Sequence, residues 1–330
     1  MNYNILGRTG VLVSELCFGT MTFGSEADEA ESARMFHRCL DVGINFFDCA
    51  NNYSEGRAEL ILGKLIQVRR DDIVITSKVS QRVGKDINAL GSSRRHIMQA
   101  IEQSLKRLNT DRIDLYFIHH FDPLTPIDET LRALDDVVRQ GKVLYLGVSN
   151  WAAWQIAKAL GISDKNHLAR FECIEPMYNL LKRQAEVEIL PLARSEKLGV
   201  IPYSPLAAGL LSGKYMDTSA TGRIVDKQQY SKRYSSPRYY EIAQNFAVYA
   251  HELGIAPSTL ALKWVMANPD ITAPIIGARN LIQLEDSLAA LTLELAPEVL
   301  AHVTALSDTP ASATDRLEEV LDETFKLRNR

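Results

Sequence analysis

The chain has no apolar run approaching the ~18 residues that a membrane span requires. Its opening, MNYNILGRTG, has no apolar core followed by the small residues that mark a signal peptide. No membrane partner is expected, and the expected location is the cytoplasm. Cysteine is scarce: Cys17, Cys39, Cys49 and Cys173 lie far apart and form neither a CxxC pair nor a Cys/His cluster, so no metal site is expected. Set in apolar segments, they read as reduced core residues. An excess of one charge is also missing. The 37 basic and 41 acidic residues are interspersed and sum to −4, which gives no basic face for nucleic acid. No tandem repeat, low-complexity tract or interdomain linker breaks the sequence. What remains is a globular composition, 46% hydrophobic and 24% charged, able to bury a large core. Barrels of alternating strands and helices use about 250 residues or more as one unit, so residues 1–330 are read as a single domain.

The pattern that is present is an alternation. Short apolar runs of strand length occupy 15–20, 43–47, 73–76, 113–118, 143–148, 171–174, 200–203 and 272–276. Segments with helical spacing lie between them, among them 29–40, 94–108, 127–140, 151–160, 185–198, 257–267 and 281–291. Eight strand and helix units at this spacing, with no glycine-rich nucleotide loop after the first, predict an α/β protein built as a closed (β/α)8 TIM barrel. Ahead of the first strand, Gly7-Arg8-Thr9-Gly10 separates two short extended runs, which predicts a hairpin plugging the bottom of the barrel. Two segments exceed ordinary connection lengths. Residues 207–238, rich in Gly, Ser, Tyr and Lys, are expected to cover a ligand, and the tail after 307 is expected to add helices, including a charged run at 315–325.

In such a barrel, function sits where each strand ends. Asp48 and Tyr53 follow the second apolar run in FFDCANNYSEG, Lys78 ends the third in ITSKV, and His119 and His120 follow the fourth in DLYFIHHFDP. Each alone has a plain structural reading as a helix cap, a surface loop residue, a solvated lysine or a polar strand end. Together they address one problem: a phenol, with an ordinary pKa near 10, must give a proton to a carbonyl oxygen near neutrality. A lysine ammonium favours the phenolate, and a carboxylate holds that lysine charged and in place.

The motifs LGRTGVLVSELCFGTMTFG, FFDCANNYSEG, TSKV, DLYFIHHFDP, GKVLYLGVSN, PYSPLAAGLLSGKY and IIGARNLIQLEDSL, in this order, resemble the aldo-keto reductases over essentially the whole chain. The resemblance implies a catalytic tetrad of Asp48, Tyr53, Lys78 and His119, with Tyr53 as general acid or base. His119 rather than His120 takes the histidine position because it directly follows the apolar strand. An extended NADP(H) is also implied, with Ser149, Asn150 and the position of Glu175 at the carboxamide, Tyr203 stacked on the nicotinamide, and Ser204, Leu206 and Gly209 along the pyrophosphate. Gly277, Ala278, Arg279, Gln283 and Asp286 are then expected at the adenosine end, with Arg279 on the 2′-phosphate through bidentate bonds. The substrate would be a small carbonyl compound or alcohol, its pocket walled by Met21, Phe23, Phe121 and Trp151, with the region around 230–240 as a candidate lid. Trp151 could equally start a helix and pack in the wall.

The sequence departs from the family pattern at two positions, Glu175 for the usual glutamine and Ser287 for the usual asparagine near the adenine. An ionised Glu175 beside the nicotinamide would favour the cationic, oxidised cofactor. A protonated one would mimic glutamine, and one turned toward a lysine or arginine would do neither. Two other functions fit the same residues: a module that senses cofactor redox state and regulates a partner, and an epimerase that uses bound NADP transiently. The sequence does not decide the oligomeric state.

Overall fold

The computed structural model describes residues 1–216 and 220–315. An N-terminal hairpin pairs β1 (Tyr3–Ile5) with β2 (Leu12–Ser14), antiparallel, with Tyr3 opposite Ser14. Its turn needs glycine: Gly7 has φ +54°, and a Cβ there would sit 2.6 Å from the Glu172 carbonyl oxygen. The hairpin sends Leu6 and Val13, both fully buried, into an apolar cluster with Cys17, Phe46, Leu115 and Phe117 inside the strand ring. It is the expected plug.

Eight parallel strands follow: β3 (Cys17–Gly19), β4 (Phe46–Asp48), β5 (Val74–Val79), β6 (Ile113–Ile118), β7 (Val143–Ser149), β8 (Phe171–Glu175), β9 (Gly199–Val200) and β10 (Ile275–Ile276). Their order in the sheet is β10, then β3 to β9 in sequence. The amides of Thr272 and Ile275 donate to the carbonyls of Val200 and Pro202 at 2.8 and 2.9 Å, which joins the two ends and closes the barrel. The last two strands are shorter than the apolar runs at 200–203 and 272–276, because Pro202 and Pro274 have no amide to donate to a ladder.

Helices on the outside are α1 (Glu29–Asp41), α2 (Arg57–Leu65), α3 (Arg94–Leu108), α4 (Ile127–Arg139), α5 (Ala153–Asn166) and α6 (Ile189–Glu196). They continue as α7 (Arg223–Asp226), α8 (Gln228–Arg233), α9 (Pro237–Glu252), α10 (Pro257–Met266), α11 (Leu281–Leu288) and α12 (Pro297–Ala305). Helix α3 shows why these segments are helical. Ser93 caps its start by accepting from the His96 amide, and Asn109, left-handed, ends it. Between the caps Ile97, Ile101, Leu105 and Leu108 recur at helical spacing and are buried. Each such side chain contributes up to roughly 1.5–3 kcal/mol. The segment 207–238 is not a plain loop, since its described residues fold into α7, α8 and short 3-10 turns. Helix α12 supplies a C-terminal addition, whereas the run expected at 315–325 lies, apart from Asp315, outside the described residues. No helix among the described residues is long and apolar enough to cross a membrane.

Candidate active site

Strand register sets the site. Asp48 is the last residue of β4, buried, and accepts from the Thr76 hydroxyl at 2.5 Å. The chain turns sharply just after Tyr53: Ser54, Glu55 and Gly56 have φ of 48°, 58° and 89°, a left-handed run. Ser54 pins this turn by donating its hydroxyl to the Phe23 carbonyl at 2.8 Å. Lys78 on β5 is completely buried, and its Nζ donates to Asp48 Oδ1 at 2.5 Å, to the Cys49 carbonyl at 3.1 Å and to Tyr53 Oη at 3.3 Å. His119 follows β6 directly, with its amide on the Val79 carbonyl, and its ring meets that of Tyr53 edge-on at 6.0 Å. His120 stacks on His119 at 5.1 Å. The structure therefore brings Asp48, Tyr53, Lys78 and His119 into one group.

Electrostatics follow from burial and from one cation. Burial alone would lower the Lys78 ammonium, but Asp48 and Glu175 hold it well above its ordinary value. Burial raises the Tyr53 phenol, and Lys78 opposes that rise. The His119 imidazole is held well below its ordinary value, first by burial and then by Lys78 and His120, so it is neutral. Its Nδ1 has no hydrogen-bond partner.

Glu175 ends β8 opposite Ser149 and places Oε2 3.4 Å from Lys78 Nζ, an ion-pair contact. It thus turns toward a lysine, which was one of the three outcomes open from sequence. Ser149 donates its hydroxyl to the Glu175 carbonyl, and Asn150, left-handed at φ 59°, donates from Nδ2 to both the His119 carbonyl and Ser149 Oγ. Tyr203 donates its hydroxyl to Asn150 Oδ1 at 2.7 Å. Ser204, Ala207, Ala208 and Gly209 have positive φ, so the chain from Ser204 past Leu206 to Gly209 is a tightly coiled rim, and a Cβ on Gly209 would lie 3.0 Å from Lys214 Cε.

Across the opening, Gly277 is exposed, Ala278 is fixed by the Thr22 hydroxyl on its carbonyl, and Arg279 donates its amide to Gln283. Gln283 and Asp286 are exposed on one face of α11, while Ser287 turns inward and is buried. Lys214 and Arg223 were not found from sequence. The Lys214 ammonium is lowered first by burial and then by Arg279 and Arg223, so three cations converge here from separate elements. Lys227 on this segment pairs with Glu26 at 3.1 Å and ties it to the loop after β3.

The residues expected around the substrate divide. Met21 and Phe121 are partly exposed, and Trp151 is buried between Phe121 and Phe171 at ring distances of 5.0 and 5.6 Å. Phe23 is fully buried against Phe18, and its carbonyl accepts from the Ser54 hydroxyl. Arg233, missed from sequence, lies 5.2 Å from the Tyr230 ring centre and 6.0 Å from that of Tyr203, and its charge helps to lower His120 after burial. Among the described residues, several buried polar atoms without a hydrogen-bond partner lie at this mouth: Asn51 Oδ1, Asn52 Oδ1, His119 Nδ1, Trp151 Nε1 and Glu175 Oε2, the last in ion-pair contact with Lys78. Buried polar atoms without partners are rare unless a ligand or water completes them. Among the same residues no cluster of three or more His, Cys, Asp or Glu side chains could hold a metal ion.

This geometry has counterparts among known proteins. The sequence matches the Aldo/keto reductase family over residues 15–308. It is 39% identical to the uncharacterized oxidoreductase YrpG of Bacillus subtilis over 95% of this chain and 98% of that one. A probable voltage-gated potassium channel subunit beta of Oryza sativa subsp. japonica is 35% identical over 96% of this chain and 99% of its own. The aldo-keto reductase AMT2 of Alternaria alternata is 33% identical over 90% and 89%. With the barrel, the grouped Asp48, Tyr53, Lys78 and His119, and these full-length matches in agreement, the chain belongs to the aldo/keto reductase family.

Proposed function

We propose that this protein is an oxidoreductase that moves hydride between NADP(H) and the carbonyl or alcohol carbon of a small aldehyde, ketone or sugar, with Tyr53 as general acid and base. The observation that carries the reading is the Tyr53 hydroxyl 3.3 Å from the buried Lys78 ammonium, which Asp48 in turn holds. The residues fit a nicotinamide dinucleotide phosphate. Ser149, Asn150 and Tyr203 line one end with polar groups, and Lys214, Arg223 and Arg279 gather positive charge at the other. When bound, the cofactor supplies or receives the hydride.

The protein's part is the proton and the fields around it. In reduction Tyr53 gives its hydroxyl proton to the carbonyl oxygen, and the phenolate left behind is stabilised by Lys78. In oxidation the phenolate takes the alcohol proton. Neutral His119 adds no charge that would compete with Lys78 and offers a polar edge to the substrate oxygen. Trp151 and Phe121 give the pocket an aromatic wall suited to flat or apolar faces.

The test is an absorbance assay of NADPH consumption against a panel of aldehydes, ketones and keto sugars, run in reverse with NADP+ and the matching alcohols. Turnover in either direction supports the reading. A second reading, a redox-sensing module that regulates a partner, draws on the name of the rice relative. Tight cofactor binding with no turnover in either direction would select it.

A further inference from the structure

A glutamine at position 175 would bring no charge to the site. Glu175 instead puts a second carboxyl on an ammonium that already has a partner, for Lys78 Nζ lies 2.5 Å from Asp48 Oδ1 and 3.4 Å from Glu175 Oε2. The two carboxyls are not equivalent. Asp48 Oδ1 also accepts from the Thr76 hydroxyl, whereas Glu175 Oε2 has only the more distant Lys78 ammonium. Both, like Lys78, are buried, and the Glu175 backbone is fixed by its register with Ser149 and by the Ser149 hydroxyl on its carbonyl. One buried cation therefore faces two buried carboxyls, and the less satisfied carboxyl is the one that takes up a proton.

The groups around Glu175 come from every side: Lys78 from β5, Asp48 from β4, Tyr53 from the turn after it, Cys17 from β3, Cys173 from its own strand and Tyr203 after β9. Lys78 is the only cation among them. Burial pushes the Glu175 carboxyl up to about 8, with Lys78 pulling against that and Asp48 adding to it. Near neutrality the group is therefore poised to change charge.

We propose that Glu175 is a positioning residue for the proton site, acting through Lys78: its carboxyl sets how strongly the ammonium favours the Tyr53 phenolate. When Glu175 is protonated, Lys78 and Asp48 cancel and the phenolate forms against no excess charge. When Glu175 is ionised, the cation is shared twice, and phenolate would add to a negative excess, so Tyr53 keeps its proton. Ionisation of Glu175, which releases its proton to solvent, thus preserves Tyr53 as a donor for reduction and delays its use as a base in oxidation. The triad stands on the geometry alone, and its consequence for turnover rests on the proposed role of Tyr53.

Two measurements on the full chain test this. In protein labelled with carboxyl-13C glutamate and free of cofactor, one glutamate signal should titrate near 8 and be missing from Glu175→Gln. If all glutamates titrate in their ordinary acid range, or the high signal survives Glu175→Gln, the proposal is wrong whether or not any substrate turns over. The second measurement is the pH profile of alcohol oxidation. Its rising limb, where Tyr53 loses its proton, should move to lower pH by about one unit or more in Glu175→Gln, as expected for loss of a neighbouring like charge. It should stay near the wild-type position in Glu175→Asp. Superimposable limbs in wild type and Glu175→Gln would overturn the link to Tyr53. A wild type that titrates as expected yet oxidises and reduces nothing would instead reject the proposed reaction and leave the ion triad standing.

Discussion

Lys78 Nζ donates to the Tyr53 hydroxyl at 3.3 Å and lies 5.0 Å from the centre of its ring, so the phenol cannot change charge without the ammonium feeling it. Replacing Lys78 by Met keeps much of the length and removes the charge. Asp48 is then buried without its cation, which costs roughly 3–5 kcal/mol when one partner of a buried pair is deleted. Urea unfolding should show that loss. In the protein that still folds, alcohol oxidation should fall and its rising limb should move to higher pH, because nothing now favours phenolate. An unchanged profile would show that the lysine does not tune the tyrosine.

Stability should also depend on pH through Glu175. Its carboxyl is raised from 4.5 to about 8 in the folded chain, first by burial. Between those values the folded protein holds a proton that the unfolded chain has released. Stability contributed by this site is therefore present at the acid end and is lost as pH rises toward 8, at up to about 1.4 kcal/mol per unit for one proton. Glu175→Gln should lack this slope, so that the stability of wild type relative to the variant declines across the window. Parallel urea midpoints for the two proteins throughout would contradict the raised carboxyl.

Arg279 stands beside Lys214 and Arg223 with its amide on Gln283. Arg279→Ala should weaken NADPH far more than NADH, since only the former has a 2′-phosphate. A charge-assisted bond contributes roughly 1.5–3 kcal/mol, or about one to two powers of ten in affinity. Fluorescence titration with both cofactors measures the difference, and equal losses would show that Arg279 does not read the phosphate.

Long periodic segments were legible in the sequence. Strand β6 and helix α3 occupy the expected residues because a continuous apolar run and a capped 3.6-residue pattern each have one stable reading. Helix α2 was not anticipated: it has nine residues and begins straight after the left-handed Ser54, Glu55 and Gly56, where local signals point to a turn. Strands β9 and β10 were anticipated too long because hydrophobicity ran through Pro202 and Pro274, which cannot donate to a ladder. The site divides in the same way. Asp48, Tyr53, Lys78 and His119 were found because each lies at or just after a strand end, and the fold makes strand ends meet. The Lys78–Glu175 contact was open only as one of three outcomes, since β5 and β8 come together only through barrel closure, and no local pattern states which way a buried glutamate turns. Lys214, Arg223 and Arg233 sit in a segment without periodicity and acquire meaning only from what they face.

The most direct test of the account compares hydride transfer in wild type and Tyr53→Phe, with NADPH and whichever carbonyl compound the wild type consumes fastest, alongside cofactor affinity by fluorescence titration. Phe keeps the ring and its edge-on contact with His119 and removes only the hydroxyl beside Lys78. The expected result is affinity within a few fold of wild type and turnover lowered by at least the ~10²-fold typical of a lost general acid. Turnover above about a tenth of wild type, with affinity unchanged, would contradict Tyr53 as the proton donor and with it the proposed chemistry of the site.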